Sequence, residues 1–378
     1  MISYKKTTEH KTYFIIAGEP SGDLHGAKLI AAMKKLSPEI RFVGHGGDKM
    51  LKEGLEILYH KNQLSVMGFS EIIKHLPFFI KALITTIENI ATINPERIIL
   101  IDYPGFNLLL AKKCSHLSIP ISYFILPQLW AWKEKRIKVF QRHIDQSLCI
   151  FPFEQNWFEK RDVPTNYVGH PFTENIGPSL TKTEFYTKHK IDKNRNVVTL
   201  LPGSRQQEVD QLWPVFYKSA MEIKEKQDVD IVVGKFSGIT LPEQKDVLIE
   251  NDDIYAAISY AKAAITASGT ASLECAVLDT PEVVCYKLSY ISGLILKQLN
   301  KTPFISIVNL IANRKIVTEF IQNGVKVKNI VSEITPLLSN TKQRKDMLLG
   351  FDEVRRSLGL PGVYKRAAES IMKKTNSG

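Results

Sequence analysis

Short apolar runs alternate with longer stretches of helical period along this chain. In the first half, "TYFIIAG" precedes a helical segment over 23–36, and "IRFVGHGG" precedes another over 48–53. "RIILIDYP" comes before a helix near 107–117; "PISYFIL" and "QSLCIFP" follow, and "TNYVGHPF" (165–172) closes the set. Val/Ile-rich runs of this length, separated by helices, predict a parallel sheet covered on both faces. A polar, Lys-rich segment, "TENIGPSLTKTEFYTKHKIDKNRN", reads as a linker plus one helix. The alternation then restarts with "VVTLLPGSR", a helix to about Lys226, "DIVVGKF", "AKAAITASGT" and "PEVVCYKL". The fold class is therefore α/β, with two Rossmann-like, doubly wound parallel-sheet domains facing across a cleft. The expected boundaries are 1–172 and 173–352, with an amphipathic segment over 353–378 packing back on the first domain. A chain of 378 residues has the length for two cores.

Composition narrows the partners. The formal charge of +11 favours an anionic ligand or surface. No histone-like tail or zinc-finger spacing occurs, so nucleic acid is set aside in favour of phosphorylated ligands or a membrane surface. Cys114, Cys149, Cys275 and Cys285 lie in apolar stretches without C-x-x-C spacing and read as buried thiols in a reducing compartment. The first apolar run is too short for a secretion signal. No apolar stretch approaches the roughly 20 residues that cross a bilayer. The expected location is the cytosol.

In open parallel sheets, ligands bind beyond the carboxyl ends of the strands. Five notable loops follow predicted strands: "GEPSGD", "IDYPGF", "LPQLWAW", "LPGSR" and "ASGTASLE". Gly203, Ser204 and Arg205 stand between strand and helix, where free N–H groups and a guanidinium suit an anion; a tight turn with a surface arginine reads the same. Ser268, Gly269 and Thr270 open a second helix with exposed amides. Glu274, one turn in, can accept two ribose hydroxyls or simply sit solvated in the helix's first turn. Two anion-ready helix starts in one domain point to a nucleotide diphosphate. Asp102 ends an apolar strand, where it is equally a general base or a helix cap. Trp130 and Trp132, with Lys133, Lys135, Arg136, Lys138 and Arg142, suit a sugar ring and a phosphate or anionic lipid, or else a solvated basic helix. The segment 64–87, "LSVMGFSEIIKHLPFFIKALITTI", is apolar on every side and reads as a surface dipping into lipid, with Val66, Met67, Phe69, Phe78 and Phe79 as contacts.

"FIIAGEPSGDLHGAK" poses a separate question. Gly18, Gly22 and Gly26 are spaced four apart, which matches neither dinucleotide nor ATP loops.

Taken in order, "AGEPSGDLHG", "RFVGHGG", "SVMGFSEI", "IDYPGFN", "LWAWKEKR", "YVGHPF", "LLPGSRQQEV", "ASGTASLE" and "PFISIVNLI" resemble the lipid-A-disaccharide synthase family of GT-B glycosyltransferases. The resemblance implies a hexosyltransferase of Gram-negative lipid A and lipopolysaccharide biosynthesis. It would move 2,3-diacylglucosamine from UDP to the 6-hydroxyl of 2,3-diacylglucosamine 1-phosphate with inversion, releasing UDP and using no metal or other cofactor. Carried over, Asp102 is the base. Gly203, Ser204, Arg205, Ser268, Gly269, Thr270, Glu274 and Asn309 are implied on the donor side. Gly18, Glu19, Ser21, Gly22 and Asp23, with Trp130, Trp132, Lys133 and Arg136, are implied at the acceptor. The implied location is peripheral, on the cytosolic face of the inner membrane. The stretch over 234–262 is shorter than the family pattern, at the place where the nucleotide base would sit. Other GT-B UDP-sugar enzymes, such as UDP-N-acetylglucosamine 2-epimerases, share the UDP half, as would a non-catalytic membrane-docked UDP-sugar-binding protein.

Overall fold

A computed structural model describes residues 11–64, 72–131, 133–174, 176–242, 245–287 and 304–376, with no side-chain account of 72–75 or 374–376. The chain divides into two compact units, residues 1–171 with 360–378, and residues 172–359.

In the first unit the chain runs β1 (Thr12–Ala17), α1 (Pro20–Leu36), β2 (Arg41–Gly46), α2 (Asp48–Lys52), β3 (Leu55–His60), α3 (Lys61–Leu64) and α4 (Ile72–Ile93). It continues through β4 (Arg97–Ile101), α5 (Pro104–Cys114), β5 (Ile121–Phe124), α6 (Ile137–His143), β6 (Gln146–Cys149), α7 (Pro152–Glu159) and β7 (Thr165–Tyr167). The second unit holds α8 (Lys182–His189), β8 (Asn196–Leu201), α9 (Gln206–Lys226), β9 (Val229–Gly234), β10 (Leu248–Glu250), α10 (Ile254–Ser259), β11 (Ala263–Ala267) and α11 (Thr270–Val277). It ends with β12 (Glu282–Tyr286), α12 (Ile307–Ala312), β13 (Thr318–Ile321), α13 (Val327–Leu337) and α14 (Lys342–Ser357). A last helix, α15 (Val363–Asn376), belongs to the first unit and packs along α1.

Both sheets are parallel throughout, in the orders β3-β2-β1-β4-β5-β6-β7 and β10-β9-β8-β11-β12-β13. Each sheet therefore reverses winding direction once, between β1 and β4 and between β8 and β11. Crevices that take ligands open at such points. The central strands are buried end to end, as in "RIILI" of β4 and "AAITA" of β11, because helices cover both faces. Each fully buried Ile or Leu contributes about 1.5–3 kcal/mol relative to exposure.

Three strands lie outside the sequence expectation: β3, β10 and β13. All three are edge strands with half-exposed, mixed-polarity patterns, so they lack the continuous apolar run that marks a central strand. Residues 353–357, assigned from the sequence to the returning segment, instead complete α14 in the second unit. On the first unit, α15 is held by the Tyr364 hydroxyl against His25 Nδ1 (2.8 Å), and by Arg366, which donates to the Val168 carbonyl (2.8 Å).

Segment 64–87 is corrected in its orientation. Within α4, Ala82, Leu83, Thr86 and Ile90 are buried, and Thr86 Oγ1 meets His45 Nε2 at 2.9 Å. Phe78 packs edge-on against Tyr59, and Phe79 packs against Phe106. The helix is two-faced rather than apolar all round, and its outward row is Leu76, Ile80 and Ile84, 47, 47 and 50% exposed. By length and composition its stretch Leu76–Ile93 could cross a membrane, contrary to the sequence expectation, yet its inner face belongs to the core of the unit. Val66, Met67 and Phe69 lie outside the described residues.

Candidate active site

At the first winding reversal, β4 delivers Asp102 to the sheet's carboxyl end. Asp102 and Tyr103 both adopt left-handed backbone (φ 43° and 47°) before Pro104 starts α5. The Asp102 carbonyl accepts from Tyr123 Oη (2.5 Å) and Asn107 Nδ2 (2.7 Å), and its amide donates to the Phe124 carbonyl (3.2 Å). Burial, then the negative charges of Asp102 and Glu19, hold the Tyr123 hydroxyl well above its ordinary pKa, against the opposing charge of Arg136. The charges of Asp102, Glu19 and Arg136 thus all act on one buried hydroxyl.

The glycine question resolves as packing. A Cβ on Gly18 would strike the Tyr103 ring at 2.4 Å, and one on Gly26 would meet Met50 Sδ at 2.5 Å. One on Gly22 would press the Ala17 Cβ at 3.2 Å. The spacing lets α1 lie tightly on β1, α2 and the Asp102 turn; Gly18 and Gly22, expected at the acceptor, face protein instead. Asp23 is corrected likewise. Fully buried, it accepts from the amides of Gly47 (2.8 Å) and Met50 (3.0 Å) and pairs with Lys61 (2.8 Å), so its carboxylate fastens the start of α2. Although burial opposes ionisation, these bonds leave its pKa below the usual range. Of that loop, half-buried Glu19 and exposed Ser21 remain outward-facing.

Trp130 is half-buried. Its Nε1 donates to Glu154 (3.1 Å), and its ring meets Phe153 edge-on at 5.1 Å. Glu154, missed in the sequence, is fully buried; burial above all pushes its carboxyl to about 8. Lys133 is exposed and Arg136 half-buried, while Trp132 lies outside the described residues.

At the second reversal, Gly203 takes φ 127°, a backbone that disfavours any side chain, and a Cβ there would also strike Glu208 at 2.7 Å. Ser204 and Arg205 follow, exposed, at the start of α9. The Arg205 guanidinium, 77% exposed, rests 3.5 Å from Glu208. Burial raises the Tyr286 hydroxyl, with Glu208 adding to the shift and Arg205 opposing it, so the loop's charges reach the end of β12. After β11, Ser268 and Gly269 lead into α11 at Thr270. The Glu274 side chain makes no hydrogen bond or ion pair among the described residues, while its carbonyl accepts the Leu278 amide (3.0 Å). Burial alone lifts its carboxyl to about 7.

Asn309 is corrected. It is fully buried, its Nδ2 donating to the Val317 carbonyl (2.9 Å) and Glu319 (2.8 Å), and its Oδ1 accepting from the amides of Ile316 (2.7 Å) and Val317 (3.0 Å). With every hydrogen-bonding position engaged inside the unit, it braces α12 against β13. A second buried carboxyl, Glu282, accepts from Thr266 (2.7 Å) and Ser272 (2.6 Å), and Ser272 meets Ser306 (2.9 Å). This network underpins the α11 start from below. Burial raises Glu282 to about 8. In the shortened stretch, Gln206 and Thr240 exchange two hydrogen bonds of 2.9 Å, pinning the loop after β9 to the first residue of α9.

Comparison with known proteins gives a family. The profile described as lipid-A-disaccharide synthetase matches residues 13–372. Lipid-A-disaccharide synthase of Geobacter sulfurreducens is 33% identical over 376 residues, covering 97% of this chain and 98% of that one. The same enzyme of Acidobacterium capsulatum is 35% identical, covering 92% of each, and that of Myxococcus xanthus 34%, covering 95% and 96%. Among solved structures, a putative UDP-N-acetylglucosamine 2-epimerase from Listeria monocytogenes superposes with a TM-score of 0.65 at 12% identity over 98% of both chains. The calicheamicin glycosyltransferase CalG4 does so at 0.59 and 12%, over 98% and 99%. At such identities these two speak for the fold alone.

Proposed function

The chain belongs to the lipid-A-disaccharide synthase family, and from that premise we propose how its residues carry the reaction. It is a GT-B hexosyltransferase of lipid A biosynthesis, joining a UDP-activated 2,3-diacylglucosamine to the 6-hydroxyl of 2,3-diacylglucosamine 1-phosphate and releasing UDP. The family match from residue 13 to 372 is the observation that carries this.

Asp102 takes the proton from the acceptor 6-hydroxyl as that oxygen attacks the anomeric carbon. A positioned general base contributes roughly 10²–10⁴ in rate. The bond to the UDP β-phosphate oxygen breaks in the same displacement, inverting the configuration. Negative charge develops on the departing diphosphate, where Arg205 and the amides at the starts of α9 and α11 receive it. Glu274, ionised, accepts the ribose hydroxyls. On the acceptor side, Glu19, Ser21, Trp130, Lys133 and Arg136 hold the sugar and its phosphate.

The acylated substrates partition into lipid, and the protein's docking surface for the inner membrane is the outward row Leu76, Ile80 and Ile84. These residues line an apolar groove of about 450 Å³ with Lys81 beside it, and the chain's positive charge favours an anionic leaflet. Purified protein incubated with the two acylated glucosamines should yield disaccharide 1-phosphate and UDP in equal amounts. Sugar isomerisation without UDP release would move the chain among the epimerases, and donor binding without turnover would make it a binding protein.

A further inference from the structure

We infer that Tyr123 and Asn107 are positioning residues that aim the Asp102 carboxylate; the inference rests on Asp102 being the base. Left-handed backbone is disfavoured for residues with a side chain, and two such residues in succession persist where the surroundings enforce them. Asp102 and Tyr103 are such a pair. What enforces the turn is a convergence of two buried side chains on one carbonyl, that of Asp102.

Both donors come from elements that cannot easily shift. Tyr123 lies within β5, fully buried, its ring 5.1 Å from that of Phe140. Asn107, also fully buried, stands in the first turn of α5 and spreads its Nδ2 over two carbonyls, Asp102 (2.7 Å) and Ile101 (3.2 Å). Its Oδ1 has no partner among the described residues. A buried amide that forgoes one bond so that its NH₂ reaches two successive carbonyls is oriented for the turn, not for its own satisfaction. Because both side chains are fully buried, each acts on the reaction through Asp102 rather than by touching substrate. The Asp102 carbonyl, just beyond β4, is thus fixed in space, and with it the backbone from which the Asp102 side chain leaves. Errors of about 1 Å in such placement cost on the order of 10²-fold.

The test is a kinetic cycle on the full chain with both acylated sugars. Tyr123→Phe, which removes one oxygen, should lower kcat about 10–100-fold. KM for each sugar and UDP affinity by calorimetry should stay within about two-fold. In an Asp102→Asn background the same change should leave the residual rate unaltered. Folded Tyr123→Phe enzyme with near-normal kcat overturns the inference, as does a loss that appears in KM, or losses that multiply in the double variant. Where Tyr123→Phe does not fold, Asn107→Ala is read by the same criteria. If Asp102→Asn alone keeps its rate within a few-fold, the base assignment fails, and the inference falls with it; a dead Asp102→Asn beside a fully active Tyr123→Phe sinks the positioning role alone.

Discussion

The two winding reversals occupy equivalent points of two sheets that share a strand order, apart from one extra edge strand in the first, yet they present opposite chemistry. At β1 and β4 the first unit gathers carboxylates, Asp102 and Glu19, around a strained turn locked by buried donors. At β8 and β11 the second unit offers exposed helix starts, a guanidinium and one desolvated carboxyl. One arrangement suits taking a proton, the other receiving a negative leaving group. Topology decides where a ligand meets the sheet; a few residues at that point decide what happens to it.

The sharpest way to break this division is Asp102→Asn. It should lower kcat about 10²–10⁴-fold while leaving UDP affinity untouched, because the base contributes nothing to the donor grip. Arg205→Ala is its mirror. Removing a charge-assisted hydrogen bond of about 1.5–3 kcal/mol should raise the UDP dissociation constant roughly 10–100-fold in calorimetry. Within the first unit, the two faces of α4 separate similarly. Leu76→Glu with Ile80→Glu should weaken sedimentation with anionic vesicles about tenfold or more, at unchanged Tm. Phe79→Glu should instead lower Tm, since it places a charge against Phe106.

Smallest is the effect at Glu274. Its carboxyl is lifted by burial to about 7, and in the proposed role it would accept ribose hydroxyls as the carboxylate. UDP binding should therefore strengthen as pH rises through 7 and level off above about 8, falling by up to tenfold per unit below. Binding at pH 7 should release about half a proton, read from calorimetry in buffers of different ionisation heats. Glu274→Gln should abolish that release, and an unchanged release would place the titrating group elsewhere.

Legibility in the sequence follows the range of the interactions. Central strands announced themselves because burial on both faces demands unbroken Val/Ile runs, as in β4 and β11. The edges β3, β10 and β13 did not, since one side of each is left to solvent. Helix starts at "LPGSR" and "ASGT" were visible because their chemistry is local. The structural roles of Gly18, Asp23 and Asn309 are not legible because their partners are not local: Tyr103, the start of α2, and Val317 with Glu319. The same holds for Phe78 and Phe79, whose inward turn is decided by Tyr59 and Phe106. Tyr123, Glu154 and Glu282 carried no signal, since a buried polar residue is recognised only by what it reaches across the fold.

The carboxylate of Glu208 lies beside the very guanidinium that is to meet the nucleotide. If the diphosphate sits at Arg205 as proposed, Glu208 would compete for the same donors and temper the hold on spent nucleotide from within. A catalyst that must expel UDP after every cycle profits from a rival already seated next to the fork, ready to reclaim it as the product departs.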